Sequence, residues 1–254
     1  MIWLKILLIA LLIIYLSIYK KNWTPSRYSP LYSKGELIKI GHRGVPSLAH
    51  ENTLASFTKA IETGMKGVEL DVQYSADKQL IVYHNWDLDS LTESEKRIEK
   101  TSYSEIEKIR FNNEDSNKIP LFTEVLDVLP NKCIKIIEIK SLHLKNTGVE
   151  KNILNILKNN NIENSCIISS FNPFVIRRVR KINPKIQTAY LWTKNSPFFI
   201  INSPLWAWWC RPDGFHADID FLDKNMMKWI RKKNMSAFAY TIINHHQLEK
   251  TKYL

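Results

Sequence analysis

Apolar residues run almost unbroken from Ile2 to Tyr19, interrupted by Lys5 and Ser17, and stop at Lys20 and Lys21. As a helix this run would rise about 27 Å, close to the hydrocarbon thickness of a bilayer. From residue 37 onward the pattern changes to short apolar runs alternating with helical periodicities. Strands are predicted at Leu37–Gly41, around Glu69 and Asp71, and at Leu80–Tyr83, Cys133–Ile139, Cys166–Ser169, Ile186–Leu191, Gly214–His216 and Met235–Thr241. Helices are predicted at Thr53–Thr63 with Asn52 as its cap, Tyr103–Ile109, Phe122–Leu129, Thr147–Asn159, Pro173–Ile182 and Asp223–Lys233.

Strand–helix alternation describes either a doubly wound sheet or a (β/α)8 barrel. No glycine-rich fingerprint follows the first strand, and polar residues gather at the ends of several separate strands, which favours the barrel. The expected organisation is an N-terminal membrane or signal-anchor helix over residues 1–21, a tether over 22–36 and a catalytic domain over 37–254. The front segment has a rival reading as a cleaved secretory signal, but it lacks a clean small-x-small site before the basic pair. An anchor makes the membrane a partner and a single-pass membrane location the expectation. Flanking charge leans weakly toward a cytoplasmic domain and leaves the side open.

The net charge of +11 accompanies basic residues scattered through periodic segments. No RGG tract, zinc-finger spacing or basic-region helix is present, so nucleic acid is not the expected partner. Three widely spaced cysteines, Cys133, Cys166 and Cys210, give no disulfide framework and read as buried thiols. Phe198 to Trp209 is rich in aromatics and reads either as a buried crossover helix or as a lipid-facing lip.

The chemistry concentrates in GVELDVQYS. Glu69 and Asp71 stand two apart, so in a strand both carboxylates point one way while Leu70 and Val72 point the other. A third acid, Glu138, ends the run IKIIEIK with Lys140 two residues on. Three converging carboxylates repel one another unless a cation sits among them, and hard oxygen donors suit Ca2+ or Mg2+. A solvated strand end is the plainer alternative for Glu69 and Asp71. His42 and His84 each follow a strand and titrate in the range useful for proton transfer. Arg43 and Lys140 can hold phosphate oxygens or pair with Glu51 or Glu69. Gly44 is expected to permit the tight turn that aims His42 and Arg43 inward. These residues suggest metal-assisted hydrolysis of a phosphate ester.

Here the chain resembles the glycerophosphodiester phosphodiesterases. HRG at His42–Gly44, ENT at Glu51–Thr53, the block Gly67–His84, EIK at Glu138–Lys140 and SFN at Ser170–Asn172 carry the resemblance in order. It implies a (β/α)8 barrel with an insertion after the second strand, and divalent-cation-dependent hydrolysis of glycerophosphodiesters to sn-glycerol 3-phosphate and an alcohol. It implies His42 and His84 as the acid–base pair, Glu69, Asp71 and Glu138 as metal ligands, and Arg43, Glu51 and Lys140 around the phosphate. Lysophospholipids are the alternative substrate, a fold-retaining but catalytically impaired lipid-binding homologue is a second, and phosphatidylinositol or sphingolipid cleavage is a third. Three features depart from the family pattern. His50 replaces a proline, Asn85 replaces the aspartate after the second histidine, and only ten residues follow Asn244, so the barrel is expected to lack its last strand.

Overall fold

A computed structural model describes residues 2–19, 25, 37–88, 96–111, 118–195 and 203–252, the side chains of 16–19 excepted. The expected tether lies outside the described residues apart from Pro25, as do residues 198–202 of the aromatic stretch. In chain order the elements are α1 (Ile2–Tyr19), β1 (Ile40–His42), α2 (Leu54–Glu62), β2 (Gly67–Tyr74), β3 (Leu80–Val82), α3 (Tyr103–Ile106), α4 (Phe122–Val128), β4 (Ile134–Ile139), α5 (Val149–Asn159), β5 (Cys166–Ser170), α6 (Pro173–Ile182), β6 (Gln187–Trp192), α7 (Trp206–Cys210), β7 (Gly214–Asp218), α8 (Lys224–Lys232), β8 (Ser236–Tyr240) and α9 (His245–Lys252).

Seven of the strands pair in parallel in the order β1-β2-β4-β5-β6-β7-β8, and β3 joins β2 antiparallel. This is a near-closed (β/α)8-like barrel short of one strand. Among the described residues β8 is not paired with β1. Every residue of β4, β5 and β6 is buried, as expected of parallel strands covered on both faces. At the gap, β8 keeps no fully buried residue.

Strand parity decides what each face does. Leu70, Val72, Ile137 and Ile168 point outward into the main core, against Phe57 and Ala60 of α2, Val125 of α4 and Val175 of α6. Inward-facing Ile134, Ile136, Ile167 and Ala189 pack with Ile38, Ile40 and Phe238 to plug the barrel. Ile40, Ile136 and Phe238 each stand two residues before His42, Glu138 and Tyr240 on the same face. The polar groups therefore sit one layer above an apolar floor, at the carboxyl ends of the strands, where sites form on this fold.

The insertion after β2 carries its own small core of Ile81, Tyr83, Leu88, Ile98, Ile106, Phe111 and Ile119. The cysteines are all free and buried. Within the aromatic stretch, Trp206–Cys210 forms the short helix α7. Ala207 and Cys210 are buried, Trp209 packs on Phe174 of α6, and the Lys233 ammonium lies 3.6 Å from the Trp208 ring centre. Lys233 closes the end of α8 away from the carboxyl ends of the strands, so Trp208 faces the far end of the barrel from the polar groups.

The anchor expectation is corrected. Among the described residues no helix is long and apolar enough to cross a membrane. α1 does form over Ile2–Tyr19, and its apolar side chains from Ile2 to Tyr15 are exposed. The membrane partner and the single-pass location inferred from it fall with it.

Candidate metal centre

The turn after β1 builds one wall. Arg43 and Gly44 both have positive φ, +56° and +87°. A side chain at Gly44 would collide with Ser56 of α2, so glycine lets the turn close against the helix. The folded-back Arg43 donates its backbone N–H to Glu69 Oε2 at 3.1 Å. Its Nη1 forks onto Glu51 at 2.9 and 3.1 Å, and its Nε lies 3.4 Å from Asp71 Oδ2. His42 Nε2 is 3.8 Å from Glu69 Oε2.

The registers Asp71↔Glu138 and His42↔Glu69 place the three acids on adjacent strands. One carboxylate oxygen from each of Glu69, Asp71 and Glu138 lies within 4.8 Å of the others. Lys140 Nζ stands 3.7 Å from Asp71 Oδ1 and 3.6 Å from Glu138 Oε1, and 5.1 Å from the Trp86 ring centre. His84 enters from β3: the N–H of Tyr83 bonds to the Asp71 carbonyl at 3.0 Å. Its Nδ1 is 2.9 Å from Asn85 Oδ1. An amide oxygen only accepts, so Nδ1 carries the proton and Nε2 is left with its lone pair.

All eight residues expected at the site therefore gather at one end of the barrel. Their electrostatics show an acid cluster in want of a cation. Burial, then the charges of Asp71 and Glu138, raise the Glu69 carboxyl well above its usual range. Burial pushes Glu138 up to about 7 despite Lys140. Asp71 is lowered: burial opposes this, but Lys140, His84, Arg43 and the Asn52 amide outweigh it. Burial, then Arg43, lowers His42 to about 4. Burial, then Lys140, lowers His84. Both imidazoles are neutral at pH 7.

The residues fit a divalent ion. Asp71 Oδ1 is buried without a hydrogen-bond partner, an omission that a ligated oxygen explains. The donor set is all carboxylate, which suits hard cations. This carboxylate cluster can hold a divalent cation.

Two residues went unread in the sequence. Asn52 does not cap α2. Thr53 does, its hydroxyl accepting from the Ser56 N–H at 3.2 Å, while the Asn52 amide bonds to Asp71. The ENT string flagged the position but not the direction of its side chain. Trp86 lies in the polar insertion, where no periodicity marks it. His50, at the proline position, stacks on Phe111 with ring centres 3.8 Å apart and ties the loop to the insertion.

Residues 42–253 match the model of the Glycerophosphoryl diester phosphodiesterase family. A glycerophosphodiester phosphodiesterase of Caldanaerobacter subterraneus subsp. tengcongensis is 35% identical over 159 residues, 60% of this chain. The chain spans 65% of that relative's length, just under two thirds. Glycerophosphodiester phosphodiesterase 1 of Bos taurus is 27% identical over 80% of this chain and 71% of its own. Among solved structures, the Thermotoga maritima glycerophosphodiester phosphodiesterase superposes with a TM-score of 0.70 at 28% identity, covering 87% of this chain and 92% of that one. The Agrobacterium tumefaciens enzyme gives 0.68 at 20% identity over 85% and 92%, and shows the shared fold alone. With the match extending over the barrel and its acid cluster, this chain belongs to the glycerophosphoryl diester phosphodiesterase family.

Proposed function

We propose that this protein hydrolyses glycerophosphodiesters, with a divalent cation, to sn-glycerol 3-phosphate and an alcohol. The observation that carries the reading is the trio of half-buried Glu69 with buried Asp71 and Glu138, one oxygen from each within 4.8 Å of the others, flanked by Arg43 and Lys140. Family membership and the activity printed for the Caldanaerobacter relative support it. The three carboxylates would hold Ca2+ or Mg2+. When bound, such a cation offsets phosphodiester charge and polarises its oxygens.

The chain's own groups supply the rest. Arg43 and Lys140 present positive charge beside the acids, and in this reading they also bind the ester's phosphate oxygens. Glu51 holds the Arg43 fork in place through two hydrogen bonds. His84, with Nδ1–H committed to Asn85, offers Nε2 to accept a proton from an attacking oxygen. His42 is the partner that returns a proton to the departing alkoxide, and an anionic ester beside it favours the protonated form it needs. The low pKa of His42 makes it a strong proton donor once charged.

The test is product analysis on glycerophosphocholine, glycerophosphoethanolamine and the matching lysolipids, with and without chelator. Release of glycerol 3-phosphate that stops with chelator and returns with Ca2+ or Mg2+ is expected. No turnover at any cation concentration would contradict the reading and favour an impaired homologue.

A further inference from the structure

Asn52 lies in the loop between β1 and α2, 1% exposed, with φ at +57°. Its backbone N–H bonds to the Arg43 carbonyl at 3.0 Å. Its side chain makes a reciprocal pair with Asp71: Nδ2 donates to Oδ2 at 2.9 Å, and Oδ1 accepts from the Asp71 backbone N–H at 3.3 Å. Arg43 Nε approaches the same Oδ2 at 3.4 Å. The other oxygen, Oδ1, is buried, accepts no hydrogen bond and lies on the Glu138 side, since Lys140 Nζ is within 3.7 Å of it and 3.6 Å of Glu138 Oε1.

An aspartate's terminal torsion is broad and nearly two-fold. Left alone, the carboxylate would sample orientations that turn both oxygens partly away from Glu138. The amide of Asn52 removes that freedom by committing one oxygen. We propose that Asn52 is a positioning residue for cation binding: it holds Asp71 by Oδ2 so that Oδ1 stays presented to Glu138 and Glu69. The inference rests on the reading that this cluster holds a divalent cation. Partners that orient a ligand in this way commonly contribute about 10–100-fold to metal affinity.

The competing role is conformational, because asparagine tolerates positive φ better than most residues. Glycine tolerates it too. Asn52→Gly therefore keeps the turn and the backbone bond to Arg43 while deleting the amide. Calorimetric titration of the whole chain with CaCl2, and separately with MgCl2, is made without substrate, alongside the melting temperature of the metal-free protein. The expected result is a Kd raised about 10-fold or more in Asn52→Gly, with a cooperative metal-free transition retained. Affinity within twofold of the parent would overturn the inference alone. A glycine variant that does not fold would also overturn it, placing Asn52 in the fold rather than the ion site. A parent that binds neither cation would sink the metal reading and this inference with it.

Discussion

His84 Nδ1 and Asn85 Oδ1 lie 2.9 Å apart, a pairing of adjacent residues that fixes the imidazole tautomer without placing a charge beside it. An aspartate in the same position would orient the ring and also stabilise its protonated form. The family pattern has that acid, and this chain does without it.

Asn85→Asp is therefore expected to raise the His84 pKa by roughly 1–3 units. A base must be neutral to act, so the acidic limb of the pH–rate profile should move to higher pH by the same amount. His84→Ala should lower kcat by about 10²–10⁴, since the proton acceptor is gone. An unshifted profile for Asn85→Asp would mean that His84 is not the limiting base.

Cation affinity should rise with pH. Metal-free Glu138 titrates near 7 because burial disfavours its charge, and an incoming cation must displace that proton. Affinity is thus expected to climb through pH 6–7 as Glu138 ionises, and Glu69, raised by burial and its acidic neighbours, adds to the same trend. The sign for folding is the reverse. An acid raised in the folded state favours folding fully below 4.5, its ordinary value, and that contribution is lost as pH rises through about 7. Added cation should therefore raise the melting temperature most above pH 7. Calorimetry in buffers of different ionisation enthalpy counts the released protons, and none released at pH 6.5 would contradict the assignment.

Parity along β4 separates stability from chemistry. Ile137 is wholly buried on the outer face, while Glu138 points inward. Ile137→Ala should cost about 2–5 kcal/mol, read by urea unfolding, with cation affinity in the folded protein little changed. A large loss of affinity at full occupancy of the fold would show that the two faces are not independent.

Much of this was legible in the sequence. A two-residue spacing of acids in a strand fixes a shared direction, so Glu69, Asp71 and Glu138 could be grouped before any coordinates. Strand positions were found to within a few residues because apolar runs at this length have few other uses. A barrel short of one strand was expected, and among the described residues β8 is not paired with β1. What failed was judgement of features that depend on surroundings. The apolar run Ile2–Tyr19 looked like a span from hydropathy alone. Asn52 carried a capping residue's chemistry, but one positive φ turned its amide toward Asp71 and left the cap to Thr53. The tryptophans near residue 208 suited a lipid-facing lip and a crossover helix equally, because composition does not tell which neighbours a short helix packs on: here Trp209 meets Phe174 and Trp208 meets Lys233. Trp86 had no periodic signature because its partner, Lys140, is distant in the chain.

If the proposed reading holds, Glu69, Asp71 and Glu138 share one divalent ion. Crystals soaked in Mn2+, with diffraction recorded at the manganese edge, test it most directly. A single anomalous peak is expected, ringed by one oxygen from each of the three acids at about 2.0–2.6 Å, with Asp71 contributing Oδ1. A map with no peak there, or with the ion bound away from Glu138, would contradict it.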